Sequence, residues 1–249
     1  MKYPFQLTPT TIKINKLVLG LSVILLLLFG SPIHWLVAFG IYVIKGLLGT
    51  AVIHRGLSHK AFKMSKRVEY LLAAIALAGT NSTVITWVSV HRQHHRNSDQ
   101  PGDPHSPLHM SYLDVQFMRF KSPLDIFSAP DLIRQPFYTW LHRWHFLISL
   151  VIATVLFFID PLAVLYCWLV PNFIQSHAGT TVNGLNHLKF GYRNFDTKDN
   201  SHNNWITGIL CLGEGWHNNH HNDPANANFS VKWWEFDLGY YVTKLIRQR

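Results

Sequence analysis

The stretch LVLGLSVILLLLFG, residues Leu17–Gly30, contains no charged side chain and shows little polar face. After Ser31 and Pro32, the segment Ile33–Ile53 continues the apolar character and carries a single charge, Lys45. A helix needs about 20 apolar residues to cross the hydrocarbon core of a bilayer. Leu17–Gly30 is short by itself, but upstream lysines can extend their charged ends to the headgroups. The two segments therefore predict a transmembrane hairpin.

A second pair of apolar segments has the same layout later in the chain. Trp144–Ile159 and a segment that starts at Leu162 are separated by Asp160 and Pro161. The alternative is a soluble bundle of four buried helices, but these runs lack the polar face that such helices present to water. We therefore predict four spans, at about residues 14–30, 33–53, 144–159 and 162–180.

The charges predict the orientation of these spans. The chain has 22 Lys and Arg against 13 Asp and Glu, a formal net charge of +9. The two hairpin turns carry only Asp160 between them, and most basic residues lie in the other segments. By the positive-inside rule, both termini and the regions 54–143 and 181–249 face the cytoplasm. We expect a multi-pass protein of a bacterial-type inner membrane, folded as a single domain over residues 1–249.

Several segments outside the spans have a recognisable character. Val68–Val90 is apolar with a polar centre, which predicts two helices that dip into the membrane or pack on its surface. The Pro- and Asp-rich residues 97–136 predict loop with short helices. Lys198–Asn204 is a polar connector to the helix expected to carry His217. The aromatic segment Trp233–Ile246 suits either the membrane interface or packing on the catalytic region, and both alternatives stay open.

Histidines occur in three boxes. HRQHH (His91, His94, His95) and HNNHH (His217, His220, His221) share the spacing H-x-x-H-H, and HRGLSH (His54, His59) precedes both. Residues i, i+3 and i+4 of a helix project from one face, so each H-x-x-H-H box offers three imidazoles to a common side. His54 and His59 would lie about 140° apart on an ideal helix. They serve one metal only if the helix ends between them, as Gly56 permits, or they serve two.

Eight imidazoles are too many for one metal centre of four to six ligands, so two metals are expected. The H-E-x-x-H motif of zinc hydrolases is absent, and the Glu-rich pattern of soluble di-iron oxidases is replaced by nitrogen ligands. Haem needs two axial ligands rather than eight, and a metal transporter needs polar groups at mid-membrane. What remains is a pair of redox metals at the bilayer surface that attacks the C–H bonds of a long hydrocarbon chain with dioxygen. The isolated histidines are left outside the site: His34, His109, His142, His145, His177 and His202.

The order and separation of HRGLSH, HRQHH and GEGWHNNHH resemble those of the membrane-bound fatty acid desaturases. The likeness is strongest to the Δ9 (stearoyl-type) acyl desaturases of bacteria, cyanobacteria and plants. It runs from about Gly46 to the C-terminus and includes DPHSP, NGLNH, GYRNFD and WWEFD.

The resemblance implies an all-α integral membrane protein with four transmembrane helices in two hairpins and a cytoplasmic helical cap. The cap would carry a di-iron centre with nine histidine ligands. Eight are the histidines of the boxes, the ninth is His187, and Asn183 holds an iron through water. The implied ligand set is His54, His59, His91, His94, His95, His187, His217, His220 and His221.

The activity that the resemblance implies is removal of two hydrogens from adjacent methylenes of an acyl chain, which leaves a cis double bond and water. Dioxygen is a co-substrate, and two electrons come from an external ferredoxin or cytochrome with its reductase, since the chain has no flavin, nicotinamide or iron–sulfur motif. The acyl chain is carried by a lipid, by acyl carrier protein or by coenzyme A, and no nucleic-acid partner is expected. A hydroxylase or acetylenase on the same scaffold, or a non-redox metal-binding membrane protein, remains an alternative.

Further residues are candidates for supporting roles. Metal-bound histidines usually donate their other N–H to an oxygen acceptor, and Asp99, Asp103, Glu214 and Asp237 are candidates for this. Arg92, Lys189 and Arg193 are candidates for contact with the substrate headgroup. Animal acyl-CoA desaturases carry an Arg-Asp pair before the second box, where this chain has Ser89 and Val90. This departure weakens the expectation of a coenzyme A carrier.

Overall fold

The structure, a computed structural model, describes residues 9–78, 80, 82–120 and 122–248, with side chains from Lys16 onward. All named elements in this part of the chain are helices. The β-pairing there consists of two isolated bridges, in which Asn203 pairs with Tyr192 and with Trp216. The predicted all-α fold is confirmed. Lys13, and the side chains of the predicted first span before Lys16, lie outside the described residues.

The first predicted hairpin corresponds to two helices, α1 (Pro9–Phe29) and α2 (Pro32–Leu48). A π-helical segment, Gly49–Ser58, continues α2 without a break. The helices are separated at Gly30 and Ser31, and Pro32 starts α2 because its missing N–H costs nothing at that position. The backbone N–H of Ser31 is bound by His34 Nδ1 at 3.0 Å, which accounts for one isolated histidine.

The predicted helical pair over 68–90 is present as α3 (Lys66–Leu77) and α4 (Val84–Asn97). The polar centre lies between them, and the side chain of Thr83 caps α4. The next region has the predicted short helices: α5 (Tyr112–Gln116), a 3₁₀ turn at Ile126–Ser128 and α6 (Pro130–Ile133).

The second apolar pair differs from its predicted bounds. The long helix α7 (Pro136–Ile159) begins eight residues before Trp144, since Pro136 is a favourable first residue and no breaker follows it. After a turn, a π-helical segment, Val164–Leu169, leads into α8 (Val170–Leu185), which extends past residue 180.

The last three helices are α9 (Trp205–Leu210), α10 (His217–Asn222) and α11 (Leu238–Ile246). The connector Lys198–Asn204 therefore leads into α9 rather than into the helix of His217, which corrects the sequence prediction. Asn204 is the reason, because its side chain caps the backbone N–H groups of Ile206 and Thr207 and starts a helix there.

Two of the described helical runs are long and apolar enough to cross a bilayer, Pro32–Ser58 and Pro136–Ile159. Only 6% of the most apolar window of Pro136–Ile159 is buried, which is the opposite of a core helix in a soluble bundle. The described part of α1, Lys16–Phe29, is shorter, and α8 carries polar residues. The fold thus supports a membrane protein, whereas four spans in two hairpins stay a prediction.

Two lysines are buried among the apolar helices. Lys45 Nζ donates to the carbonyl oxygen of Ala78 at 2.6 Å and also to the side chain of Asn172. Lys16 Nζ donates to Ser176 Oγ at 2.5 Å. Each ammonium thus has oxygen acceptors inside the protein, as charged groups in apolar surroundings require. These contacts tie α1 and α2 to α8.

The C-terminal segment is fixed to the first histidine box by a buried ion pair. Arg55 is 0% exposed, and its Nη2 lies 2.9 Å from both carboxylate oxygens of Asp237. Its Nη1 lies 2.8 Å from Glu214 Oε1, and the ring of Phe229 covers the guanidinium at 3.7 Å. Helix α11 packs on Gly49–Ser58. The aromatic segment Trp233–Ile246 therefore packs on the catalytic region, which was one of its two predicted alternatives. Among its described contacts Asp237 meets Arg55 rather than a histidine, because Arg55 lies between them.

Replacing Asp237 by Ala should lower the free energy of unfolding by about 3–5 kcal/mol, because it leaves Arg55 buried without its principal partner. The measurement is the thermal unfolding midpoint of the purified protein in detergent. Asp196→Ala is the matched control, since Asp196 is fully exposed beside Arg193. Equal midpoints for the two variants would contradict the proposed importance of the Arg55 pair.

Candidate metal centre

The π-helical segment explains how HRGLSH presents both of its histidines. The backbone N–H of His59 donates to the carbonyl oxygen of His54 at 3.2 Å, an i→i+5 bond. This bond places residues five apart above one another, so the two rings lie with centroids 5.0 Å apart. The helix widens instead of ending at Gly56, and the two histidines join the same cluster.

The first cluster contains five imidazoles whose ligand nitrogens all lie within 4.8 Å of one another. His54 Nε2 is 3.0 Å from His220 Nε2, and His220 Nε2 is 2.9 Å from His95 Nε2. His59 Nε2 is 2.7 Å from His91 Nε2. The members of this five-histidine cluster are His54, His59, His91, His95 and His220.

The second cluster contains four imidazoles within the same 4.8 Å limit: His94, His187, His217 and His221. His217 Nε2 and His187 Nε2 are 3.1 Å apart. This four-histidine cluster brings in His187, the residue that only the family resemblance singled out. Together the two clusters contain all nine histidines of the implied set.

Each of the two H-x-x-H-H boxes divides its three histidines between the two clusters. His91 and His95 of α4 point into the five-histidine cluster, and His94 points into the other. In α10 the assignment is reversed, because His217 and His221 belong to the four-histidine cluster and His220 to the first. The two helices therefore hold the clusters side by side, each giving an i, i+4 pair to one and a single histidine to the other.

The geometry fits two bound metal ions. Two nitrogens at right angles on one metal, each bound at about 2.1 Å as on zinc, are about 3 Å apart. The nitrogen pairs in both clusters are close to this spacing, and two neutral imidazoles that both turn lone pairs inward gain nothing from it without a cation. In the four-histidine cluster His94 Nε2 and His221 Nε2 are buried without a hydrogen-bond partner. A metal ion would satisfy these atoms.

Burial keeps the imidazoles in the form that binds metal. Burial first, and then the neighbouring imidazoles, hold the pKa of His94 and that of His220 well below the usual histidine value. Both rings are therefore neutral at physiological pH and keep a free nitrogen lone pair. Neutral imidazole is the form that ligates metal.

Three of the acids predicted to support the site fix the ring orientation of three histidines. Nδ1 of His187 is 2.7 Å from Asp99, and Nδ1 of His94 is 2.9 Å from Asp103. Nδ1 of His54 is 2.5 Å from Glu214. Each carboxylate binds the outer nitrogen and so leaves Nε2 for the cluster. Asp99, Asp103 and Glu214 lie where the sequence analysis expected oxygen acceptors.

Sequence reasoning missed two residues of the site. Asp199 Oδ2 is 2.6 Å from His221 Nδ1, but nothing in the connector Lys198–Asn204 distinguishes it from a solvated loop acid. His105 is 4% exposed, and its ring centroid lies 4.3 Å from that of His94. It stands outside the boxes, within DPHSP, and its buried Nδ1 has no hydrogen-bond partner.

A cavity of about 700 Å³ opens next to the clusters, and its walls are mainly apolar. His54 and His91 of the first cluster and His217 of the second line it, together with Asn183, the predicted water-mediated ligand. Further lining residues come from α2, α4, α8 and the loop that follows α5. An elongated apolar molecule in this cavity would lie against both clusters.

The three residues predicted to contact the substrate headgroup lie outside the lining of this cavity. Arg92 forms an ion pair with Asp131 at 2.6 Å and donates to the carbonyl oxygen of Ser58 at 3.0 Å, so it anchors the end of the π-helical segment. Arg193 donates to the carbonyl oxygens of Thr197 and Asp199 and holds the loop of Asp199. Lys189 is exposed. None of the three lines the cavity, although Arg119 does.

With this geometry in view, comparisons with known proteins identify the family. A family model described as fatty acid desaturase matches residues 32–244. A chloroplastic palmitoyl-monogalactosyldiacylglycerol delta-7 desaturase of Arabidopsis thaliana is 37% identical over 228 residues. That alignment covers 85% of this chain and 59% of the relative, so the chain spans somewhat over half the length of that protein.

Two further relatives come from other organisms. An sn-2 palmitoyl-lipid 9-desaturase of Nostoc sp. (strain 36) is 34% identical over 86% of this chain and 76% of its own length. An acyl-CoA 5-desaturase of Anemone leveillei is 34% identical over 88% of this chain and 70% of its own length. The match over most of the sequence, with all three boxes inside it, shows that the chain belongs to the fatty acid desaturase family.

Proposed function

We propose that this chain is a di-iron acyl desaturase of the membrane, which introduces a cis double bond into a long saturated acyl chain. One observation carries the proposal: nine imidazoles gather in two adjacent clusters that open onto one apolar cavity. The family match and the desaturase names of the relatives support it. The membrane location follows from the apolar helices and the nature of the substrate.

The five-histidine cluster and the four-histidine cluster would each hold one iron, with Asn183 supplying a water-mediated ligand to the centre. Iron bound there would supply the activation of dioxygen that breaks unactivated C–H bonds. The protein residues orient the ligands, exclude water and hold the substrate. Asp99, Asp103 and Asp199 hold their histidines with Nε2 directed inward. His54, His91 and His217 line the part of the cavity where the reacting methylenes would lie.

The balance of the reaction requires an electron source. Removing two hydrogens from adjacent methylenes with one dioxygen yields the alkene and two waters only if two electrons and two protons are added. Cys167 and Cys211 are the two cysteines of the chain and are too few for an iron–sulfur cluster. A ferredoxin or a cytochrome with its reductase is the proposed donor.

The carrier of the acyl chain is proposed to be a membrane lipid, with the double bond at the Δ9 position. The Nostoc relative is named for a palmitoyl lipid and for position 9, and the Arabidopsis relative is also named for a lipid. At the positions of the animal Arg-Asp pair, Ser89 donates to the carbonyl oxygen of Ile126 at 2.8 Å, and Val90 lines the cavity. Neither offers the charge-assisted contact that a coenzyme A phosphate would need.

Expression in a host that lacks the double bond tests the activity. Fatty-acid profiling by gas chromatography and mass spectrometry should detect a new cis-Δ9 monounsaturated chain. A hydroxylated or acetylenic product would replace the proposed outcome with another reaction on the same scaffold. No product in the presence of a competent donor, together with zinc or copper as the native metal, would contradict the proposal.

His94→Ala and His220→Ala should each abolish activity, because each removes one ligand from a different cluster. Desaturation should fall below about a tenth of wild type, a loss of more than ~1.4 kcal/mol in transition-state stabilisation. Iron content per purified chain should fall in both variants, while membrane insertion is unchanged.

His34→Ala is the matched control for these variants. His34 stacks on Tyr166 with centroids 4.6 Å apart and belongs to neither cluster. It should keep both iron and activity. Activity above about a tenth of wild type in either cluster variant, or loss of iron in the control, would show that the ligand assignment is wrong.

The carrier proposal is tested with purified enzyme in proteoliposomes and a matched electron donor. The same palmitoyl chain is offered on a glycerolipid, on acyl carrier protein and on coenzyme A. We expect the highest kcat/KM with the glycerolipid, because Ser89 and Val90, which line the cavity, stand where the animal enzymes carry the charge pair. A clear preference for palmitoyl-CoA would contradict the lipid proposal and leave the desaturase assignment intact.

A further inference from the structure

The short helix α9 has an apolar face that no other part of the described structure covers. Trp205, Ile206, Ile209 and Leu210 form this α9 face, and Ile209 is 61% exposed. Thr207 and Gly208 point inward and are buried. The sequence of the helix, WITGIL, contains no charged residue. Exposing such an apolar face to water costs free energy, so we expect an apolar partner to cover it.

The contacts of α9 place it beside the middle of a predicted span. The hydroxyl of Tyr42 donates to the carbonyl oxygen of Leu210 at 2.6 Å. A Cβ atom added at Gly46 would lie 2.7 Å from the side chain of Leu212, so this side chain packs directly against the backbone of α2. Tyr42 and Gly46 lie near the centre of the 27-residue apolar helix Pro32–Ser58. Gly46 precedes His54 by eight residues, about 12 Å along a helix.

Backbone groups at both ends of α9 have hydrogen-bond partners inside the protein. The Asn204 side chain accepts from the N–H groups of Ile206 and Thr207 at the start of the helix. At its end, Tyr42 donates to Leu210, and Gly239 N–H donates to the carbonyl oxygen of Leu212 at 3.1 Å. Non-helical backbone at membrane depth is tolerated only with such internal partners.

A second exposed feature lies next to this helix. Trp216 packs against Gly208 of α9, and its Nε1 donates to the carbonyl oxygen of Phe236 at 3.1 Å. Trp216 therefore links α9 to the C-terminal aromatic segment, residues 233–245. Trp233 is 92% exposed and Leu245 is 84% exposed in this segment.

The charges around the C-terminal aromatic segment have one sign at the surface. Its two acids, Glu235 and Asp237, are both buried. The basic residues Lys232, Lys244 and Arg247 remain at least partly exposed. Exposed tryptophan and tyrosine beside basic side chains are typical of the headgroup layer of a membrane, where anionic lipids attract the basic residues.

We propose that the α9 face inserts into the hydrocarbon layer beside α2 and that the C-terminal aromatic segment lies in the headgroup layer next to it. The partner of this surface is the bilayer itself, acyl chains below and anionic headgroups above. Residues 205–212, in a region whose charges predict a cytoplasmic location, are then a re-entrant segment. The proposal rests on the membrane location in the proposed function. Leu212 also lines the cavity, so a thin protein wall separates the substrate chain from membrane lipid there.

Spin labelling of the full-length, iron-loaded protein in nanodiscs of phosphatidylcholine and phosphatidylglycerol tests this surface. With Cys167 and Cys211 replaced by alanine, single cysteines are introduced as Ile209→Cys and Trp233→Cys. Phe157→Cys on the exposed side of α7 is the lipid-facing reference, and Asn226→Cys in an exposed loop is the water-facing reference. Collision rates of each label with dioxygen and with a water-soluble nickel complex are measured.

The ratio of dioxygen to nickel collisions at Ile209 should match that at Phe157 and exceed that at Asn226, with Trp233 between the two. A ratio at Ile209 equal to that at Asn226 would overturn the insertion of α9. So would a water-type label at Ile209 that becomes immobile when an acidic ferredoxin is added, since the surface would then dock the electron donor. Desaturation of bilayer lipid in the same nanodiscs reports on the proposed function separately, because it can persist with a water-facing α9.

Discussion

Nine imidazoles buried side by side can serve as metal ligands only if each is fixed in the orientation that turns a lone pair toward a shared metal position. A buried polar atom without a partner costs about 1–3 kcal/mol, and facing lone pairs add repulsion. The carboxylates of Asp99, Asp103 and Asp199 meet this constraint from outside the clusters by holding the outer nitrogens. Among the inward nitrogens, His94 Nε2 and His221 Nε2 have no hydrogen-bond partner in the protein. Metal binding would therefore contribute directly to the stability of the cap.

Other parts of the fold also fix the positions of the ligand histidines. The π-helical segment Gly49–Ser58, which continues α2, turns His54 and His59 to a single side. Arg92 holds the end of this segment by donating to the carbonyl oxygens of Leu57 and Ser58. Arg55 and Glu214 join this segment to the third box. The clusters are thus built on helix ends that are fixed on several sides, which gives the precision that a ligand set requires.

The sequence predicts the parts of this protein that depend on local pattern. The apolar runs predict α2 and α7, and the box spacing predicts which side chains gather, because both follow from the periodicity of a helix. The π-helical turn between His54 and His59 is not predictable in this way, since a single changed hydrogen bond decides it. Partners from distant loops are also not predictable from the sequence. Asp199 contacts His221, and Asp237 contacts Arg55, only because of tertiary packing. His105 lacked any repeated spacing that could single it out.

The ion pair between Arg55 and Asp237 also constrains how the protein is made. Its two residues are 182 positions apart, and the segment that carries Asp237 also supplies Phe229, which lies against Arg55 and the ring of His220. Contacts at such separation form late, because most of the chain must be synthesised before they close. The first box thus lacks the ion pair of Arg55 until Asp237 has been synthesised. Both clusters also need histidines of the third box, so neither ligand set is complete until residues 217–221 have been synthesised.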